Sequence, residues 1–152
     1  TFALVRGAVL AHSDLFAARG QQVSLEVPED VAPIRGDRQR VEQILANLLS
    51  NAAKYTPRGG RICVSARACD GYVEIAVADS GPGVPPEERE LVFEKFYRGG
   101  DALTRQEQGT GLGLTIVRSL VELQGGRVWI EDAPDGGARF VFTLPRAEGE
   151  EE

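Results

Sequence analysis

The chain of 152 residues is 42% hydrophobic and 26% charged, proportions that suit one globular domain with its own core. No apolar run approaches the ~20 residues of a membrane-spanning helix, and no signal peptide opens the chain. The net charge is −6, but Glu148, Glu150, Glu151 and Glu152 supply four of those negatives and leave a body near −2. Such a body offers no basic footprint for nucleic acid or an anionic membrane.

The sequence contains no Met and reads as an excerpt of a longer protein or a processed product. From Phe2 to Ala18 the residues Leu4, Val5, Ala8, Val9, Ala11, Leu15 and Phe16 fall at helical spacing, predicting an opening helix within residues 1–20 that stops before Gly20. Gln22 to Val27 alternates as a strand. A second, short edge strand is expected around Ile34, between Pro33 and Gly36. The strongest helix signal runs from Arg38 to Tyr55, with Asp37 as N-cap. Its apolar stripe is Val41, Ile44, Leu45, Leu48, Leu49, Ala52 and Ala53, and Pro57 with Gly59-Gly60 stops it.

Arg61 to Ala68 and Tyr72 to Ala78 read as a hairpin across Asp70-Gly71. A stretch rich in Gly, Pro and charge follows to Gln108, interrupted by Leu91, Val92, Phe93 and Phe96. Thr110 to Gln124 predicts another amphipathic helix, ended by Gly125-Gly126. Two last strands, Arg127 to Glu131 and Ala138 to Leu144, flank a Pro-Asp-Gly-Gly turn. This order predicts an α+β fold, a two-layer sandwich. Its mixed, mostly antiparallel sheet of about five strands would lie under about three helices. One domain is expected over residues 1–146, with residues 147–152 as a solvated, loosely ordered acidic tail. Cys63 and Cys69 fall on one predicted strand, roughly 20 Å apart if extended, which is beyond disulfide reach and without the partners of a zinc site. They read as reduced thiols.

Three clusters point to chemistry. On the long helix, Arg40, Gln43, Asn47, Asn51 and Lys54 form one polar stripe, with Tyr55 at its edge. Asn is a poor residue for a helix interior, so two of them four apart suggest side-chain oxygens held for a ligand such as Mg2+ beside phosphates. Asp79-Ser80-Gly81-Pro82-Gly83 follows a strand, where a carboxylate can accept from an exocyclic amine while glycines let backbone approach a flat ring. As a motif it is also an ordinary turn. Gly109-Thr110-Gly111-Leu112-Gly113-Leu114 opens straight into a helix, presenting bare N–H groups at a positive dipole end, the geometry of a phosphate cradle or of a glycine-rich hinge. It is neither a Walker loop nor a dinucleotide fingerprint.

Taken together, these segments resemble the boxes of sensor histidine kinases, members of the GHKL ATPases and kinases. Residues Asn47 to Pro57 look like the N box and Asp79 to Val84 like the first glycine box. Phe93-Glu94-Lys95-Phe96-Tyr97-Arg98 is similar to the F box, and Gly109 to Leu114 to the second glycine box. The likeness runs in order from Asp37 to Leu144. It implies that ATP and Mg2+ bind here. Asn51 would hold the metal, with Asn47 near metal or phosphate, and Lys54 and Tyr55 would reach the phosphates and the nucleotide's edge. Asp79 would take adenine N6, with Gly81 and Gly83 shaping the pocket. Arg98 would help neutralise the γ-phosphate, and Gly109, Thr110, Gly111, Leu112 and Gly113 would line the phosphates. Asn47, Lys54 and Arg98 would be the catalytic residues, and residues 98–109 a mobile ATP lid.

The resemblance further implies phosphoryl transfer to a histidine on a separate helical dimerisation domain of the parent protein, which then serves a response regulator. This domain would be cytoplasmic and monomeric as a fragment, its parent anchored in the cell membrane. The one histidine, His12, lies in no His-Glu-Leu-Arg-Thr-Pro-like context and is expected to be a surface or linker residue rather than the phosphoacceptor. Rival readings remain. ATP-driven clamps of the gyrase or heat-shock type carry a glutamate base where Asn47 stands, and Glu42 projects to the other side of the helix. Anti-sigma-factor serine kinases share the nucleotide fold. A nucleotide-binding regulatory module without catalysis is the third.

Overall fold

The longest helix forms where the sequence places both its cap and its stripe. In a computed structural model that describes residues 1–94, 113–134 and 136–147, helix α3 spans Arg38–Tyr55. The Asp37 carboxylate accepts from the N–H groups of Gln39 and Arg40, satisfying two donors that the first helical turn leaves over. Val41, Ile44, Leu45, Leu48, Leu49, Ala52 and Ala53 are all buried, each 2% exposed or less. Burial of each large aliphatic side chain among them contributes about 1.5–3 kcal/mol.

Before α3 come α1 (Phe2–Ala11), α2 (Ser13–Ala18) and strand β1 (Gln22–Glu26). The opening segment is two helices, not one, so the described residues hold four α-helices rather than three. His12 makes the break: its ring Nδ1 sits 2.9 Å from the Ala8 carbonyl oxygen, while its own N–H turns to Val9, at φ −105°. The side chain thus occupies the acceptor that a continuing helix would use. Helix α2 ends in a left-handed Gly20 (φ 64°), whose N–H bonds Ala17 while the Gln21 N–H reaches back to Phe16.

After α3 the chain forms β2 (Arg61–Cys69) and β3 (Tyr72–Asp79), then two 3-10 turns at Pro86–Glu88 and Leu91–Phe93. Helix α4 (Gly113–Leu123) and strands β4 (Val128–Asp132) and β5 (Ala138–Pro145) complete the described residues. The sheet order is β1-β2-β3-β5-β4, with β1 parallel to β2 and every other pair antiparallel. The expected edge strand around Ile34 is only an isolated bridge to Arg146, because Pro33 has no N–H with which to extend a ladder. Ala147, grouped with the acidic tail on composition, donates its N–H to the Pro33 carbonyl.

Alternation along the strands puts Ile62 and Val64 of β2, Val73, Ile75 and Val77 of β3, and Phe140, Phe142 and Leu144 of β5 into the same core as the α3 stripe and Val117 and Val121 of α4. Helices therefore cover one face of the sheet, the two-layer arrangement that the element order predicts. On the outer face Cys63 and Cys69 are free, half-buried thiols on β2.

Candidate functional site

Helix α3 turns its stripe to the sheet and so carries its polar residues along the layer's other side. Asn47, Asn51 and Tyr55 are half-buried and Lys54 is exposed. Arg40 of the same stripe sits 3.7 Å from the carboxylate of the N-cap residue Asp37. The Asn47 side-chain amide lies 3.5 Å from the carbonyl oxygen of Gly113, where α4 begins. The Asn51 carboxamide makes no hydrogen bond among the described residues, so its oxygen is available. No group of three or more His, Cys, Asp or Glu placed to hold a metal occurs among the described residues. A cation here would rest on amide oxygen and the ligand's own phosphates, a set that suits Mg2+.

At the other end of α3 the helix meets the turn that follows β3. A Cβ on Gly81 would come within 2.5 Å of the Tyr55 carbonyl oxygen, so only glycine lets the two backbones approach this closely. Gly83 takes φ 80°, a left-handed conformation. Asp79 is 6% exposed at the end of the central strand β3, paired with Ile62 of β2. Its Oδ1 accepts from the N–H groups of Gly81 (2.9 Å) and Ala138 (3.3 Å). Burial pushes this carboxyl above the usual carboxylate range, and the two backbone N–H bonds pull against that rise. Both described bonds fall on Oδ1, which leaves Oδ2 to accept from an amine.

The three clusters are thus connected through α3: Asn47 touches the start of α4, and Tyr55 abuts the Asp79–Gly83 turn. Of the glycine-rich segment, Gly113 is described, whereas Gly109, Thr110, Gly111 and Leu112 lie outside the described residues, as do Arg98 and the whole stretch expected as a lid. Phe93 of the F-box segment is buried, and its carbonyl accepts from the Thr115 hydroxyl of α4 at 3.0 Å. A cavity of about 550 Å³ opens elsewhere, lined mostly by outward residues of β1 and β2 such as Ser24, Cys63 and Ser65. It reaches Asp79 but none of Asn47, Asn51 and Tyr55, and so lies away from the polar side of α3.

Two contributors escaped the sequence reading. Gly137, taken as a turn residue only, underlies the Asp79 carboxylate, and a Cβ there would run into Asp79. The Ser80 hydroxyl accepts the Arg61 N–H at 2.9 Å, fastening the glycine turn to the start of β2. The Gly-Gly pair was the available signal for the first; nothing local marks the second.

The profile of the histidine kinase-, DNA gyrase B-, and HSP90-like ATPases matches residues 36–148. The adaptive-response sensory kinase SasA of Trichormus variabilis is 38% identical over 135 residues, covering 87% of this chain and 33% of its own length. The chain thus spans about a third of the curated relatives it matches. The nucleotide-free catalytic domain of histidine kinase ThkA superposes with a TM-score of 0.84 at 29% identity, over 96% of this chain and 92% of that domain. Full-length ShkA, solved in complex with AMPPNP, is 36% identical with a TM-score of 0.81, over 95% of this chain and 30% of ShkA. With the match covering most of its length and its fold superposing on those domains, the chain belongs to the histidine kinase-, DNA gyrase B- and HSP90-like ATPase family, as an ATP-binding catalytic domain of the histidine-kinase kind.

Proposed function

We propose that this chain binds Mg-ATP between the polar side of α3, the Asp79–Gly83 turn and the start of α4, and serves as the catalytic domain of a two-component sensor kinase. The observation that carries the reading is the position of α3, which touches the other two clusters at once through Asn47 and Tyr55. When bound, Mg-ATP supplies the γ-phosphoryl group for transfer to a histidine on a separate helical domain. Asn51 holds the metal through its amide oxygen and Asn47 orients metal or phosphate beside it. Lys54 and Tyr55 reach the phosphates, Asp79 reads the adenine amine through Oδ2, and Arg98 with Gly109, Thr110, Gly111, Leu112 and Gly113 neutralises and lines the phosphate tail. Positioning and charge stabilisation are what phosphoryl transfer asks of a protein. No base is required of this domain, since a neutral imidazole nitrogen attacks directly.

His12 is not the acceptor in this reading, because its ring is engaged at the helix junction. ThkA has been solved in complex with the response regulator TrrA, and a response regulator is the downstream partner proposed here, with the parent's own dimerisation helices as the direct one. Among the described residues no helix is long and apolar enough to cross a membrane. The domain works where Mg-ATP is available, on the cytoplasmic side. The deciding experiment mixes the chain with the separately prepared helical domain of its parent and γ-labelled ATP. Acid-labile, base-stable label on that domain's histidine is the expected result. Label on serine would favour the serine-kinase alternative, and binding without transfer the regulatory module.

A further inference from the structure

The C-terminal end of α3 is capped from outside the helix. Thr56 is extended (φ −80°, ψ 130°) and Pro57 has no N–H, so the chain cannot close the helix on itself with a left-handed glycine. Only the Ala52 carbonyl is met locally, by the Thr56 N–H. The neighbouring acceptors are met by the corner between α2 and β1. One amide nitrogen, Gln21 Nε2, donates to both the Ala53 carbonyl (3.0 Å) and the Thr56 carbonyl (2.8 Å), and Arg19 Nη2 lies 3.4 Å from the Lys54 carbonyl. Two further bonds fix the corner: Arg58 Nη1 to the Ala18 carbonyl (3.2 Å) and the Gly59 N–H to the Arg19 carbonyl (3.2 Å).

Gln21 is 7% exposed, and its Oε1 is buried with no partner among the described residues. A buried acceptor left unpaired is a net cost to folding. The two N–H groups of the carboxamide are matched to two carbonyls, which fixes the amide's orientation, since the flipped group would set oxygen against oxygen. Those carbonyls flank Lys54 and Tyr55, one turn after Asn51. We propose that Gln21 is a positioning residue for the nucleotide site: by capping Ala53 and Thr56 it holds the last turn of α3 at the distance from which Lys54 and Tyr55 reach the phosphates. The inference rests on the Mg-ATP reading above, and it makes the α2–β1 corner the part of the fold through which the opening helices bear on phosphate binding.

Adenine is held by Asp79 on β3, which reaches the last turn of α3 only through the Asp79–Gly83 turn, so it should respond to this cap far less than the phosphates do. The test compares the unaltered 152-residue chain with Gln21→Met by titration calorimetry, using Mg-ATP and, separately, adenosine. Gln21→Met should weaken Mg-ATP about ten-fold, the scale set by a small misplacement of positioning groups, and leave adenosine within two-fold. Unchanged Mg-ATP affinity overturns the proposal, and so does an equal loss for both ligands, which would mark a general loosening of the fold. Should Gln21→Met not fold, the side-chain amide resonance of Gln21 in the unaltered chain decides. It should shift on saturation with Mg-ATP and move far less with adenosine; no shift with Mg-ATP, or an equal shift with both, overturns the proposal. If the unaltered chain fails to bind Mg-ATP at all, the nucleotide-site reading itself falls, an outcome separate from any failure of Gln21.

Discussion

The side-chain amide of Asn47 lies 3.5 Å from the carbonyl oxygen of Gly113, so the middle of α3 is tied to the first residue of α4. At the far end of α4 the Gln124 side-chain oxygen accepts the N–H of Asp37, the N-cap of α3, at 2.7 Å. The two helices thus run antiparallel, joined near both ends of α4. The Asn47 contact is long, and a bond of that kind contributes under about 1 kcal/mol. Asn47→Leu should therefore change the unfolding free energy, read from urea melts, by no more than that. Phosphoryl transfer to the helical domain should fall more than ten-fold, the loss expected when a positioning group is removed. Transfer at the unaltered rate would remove Asn47 from the catalytic set.

Asn51→Ala addresses the metal directly. Its half-buried carboxamide has no partner among the described residues, so truncation should cost the fold little. Calorimetry should show that added magnesium no longer strengthens ATP binding. A variant in which magnesium still helps as before would assign the metal to other groups.

Asp79 carries a pH signature as well as a ligand role. Its folded-state pKa is raised by burial, so the native protein binds this proton more readily than the unfolded chain does. Above the raised pKa the buried carboxylate weakens the fold; as pH falls through that value toward the unfolded pKa, the penalty is relieved. Asp79→Asn should therefore gain stability relative to the unaltered chain at pH 7, and the gain should shrink as pH approaches 4. Paired denaturant melts across that range check the sign. Asp79→Ala should weaken ATP far more than inorganic triphosphate, and equal losses would count against an adenine contact.

Gly81→Ala tests the abutment of the turn on α3. The new Cβ would lie 2.5 Å from the Tyr55 carbonyl oxygen and 3.2 Å from its carbon, both backbone atoms with no freedom to swing aside. Strain of about 1–3 kcal/mol should appear in thermal melts. ATP affinity should drop about ten-fold, less than the roughly hundred-fold that a 1 Å misplacement can cost a reaction rate. Gly59→Ala is the control: unlike Gly81 it has a left-handed φ (79°), and nothing lies within 4 Å of its Cβ. It should lose stability for backbone reasons while keeping its affinity.

Helix α3 was legible end to end because its information is local: a capping carboxylate at Asp37, seven apolar positions at helical spacing and a stop at Pro57. The Asp70-Gly71 hairpin was legible for the same reason, with Gly71 at φ 77°. The helix break at His12 and the lone bridge at Ile34 were not foreseen, because there one side chain or one missing N–H outweighs a hydrophobic pattern. In the site, Asn47, Asn51 and Asp79 stand out as polar residues where propensity disfavours them. Gln21 and Gln124 do not, because each acts on backbone groups far along the chain, 32 to 35 residues away for Gln21 and 87 for Gln124. A glutamine in a sequence carries no mark of which distant carbonyl it will meet.

The bond from the Thr115 hydroxyl to the Phe93 carbonyl joins the first turn of α4 to the 3-10 turn at Leu91–Phe93. Phe93 and Thr115, 22 positions apart in sequence, are thereby held together, so the carbonyl of the one fixes where the helix that carries the other begins.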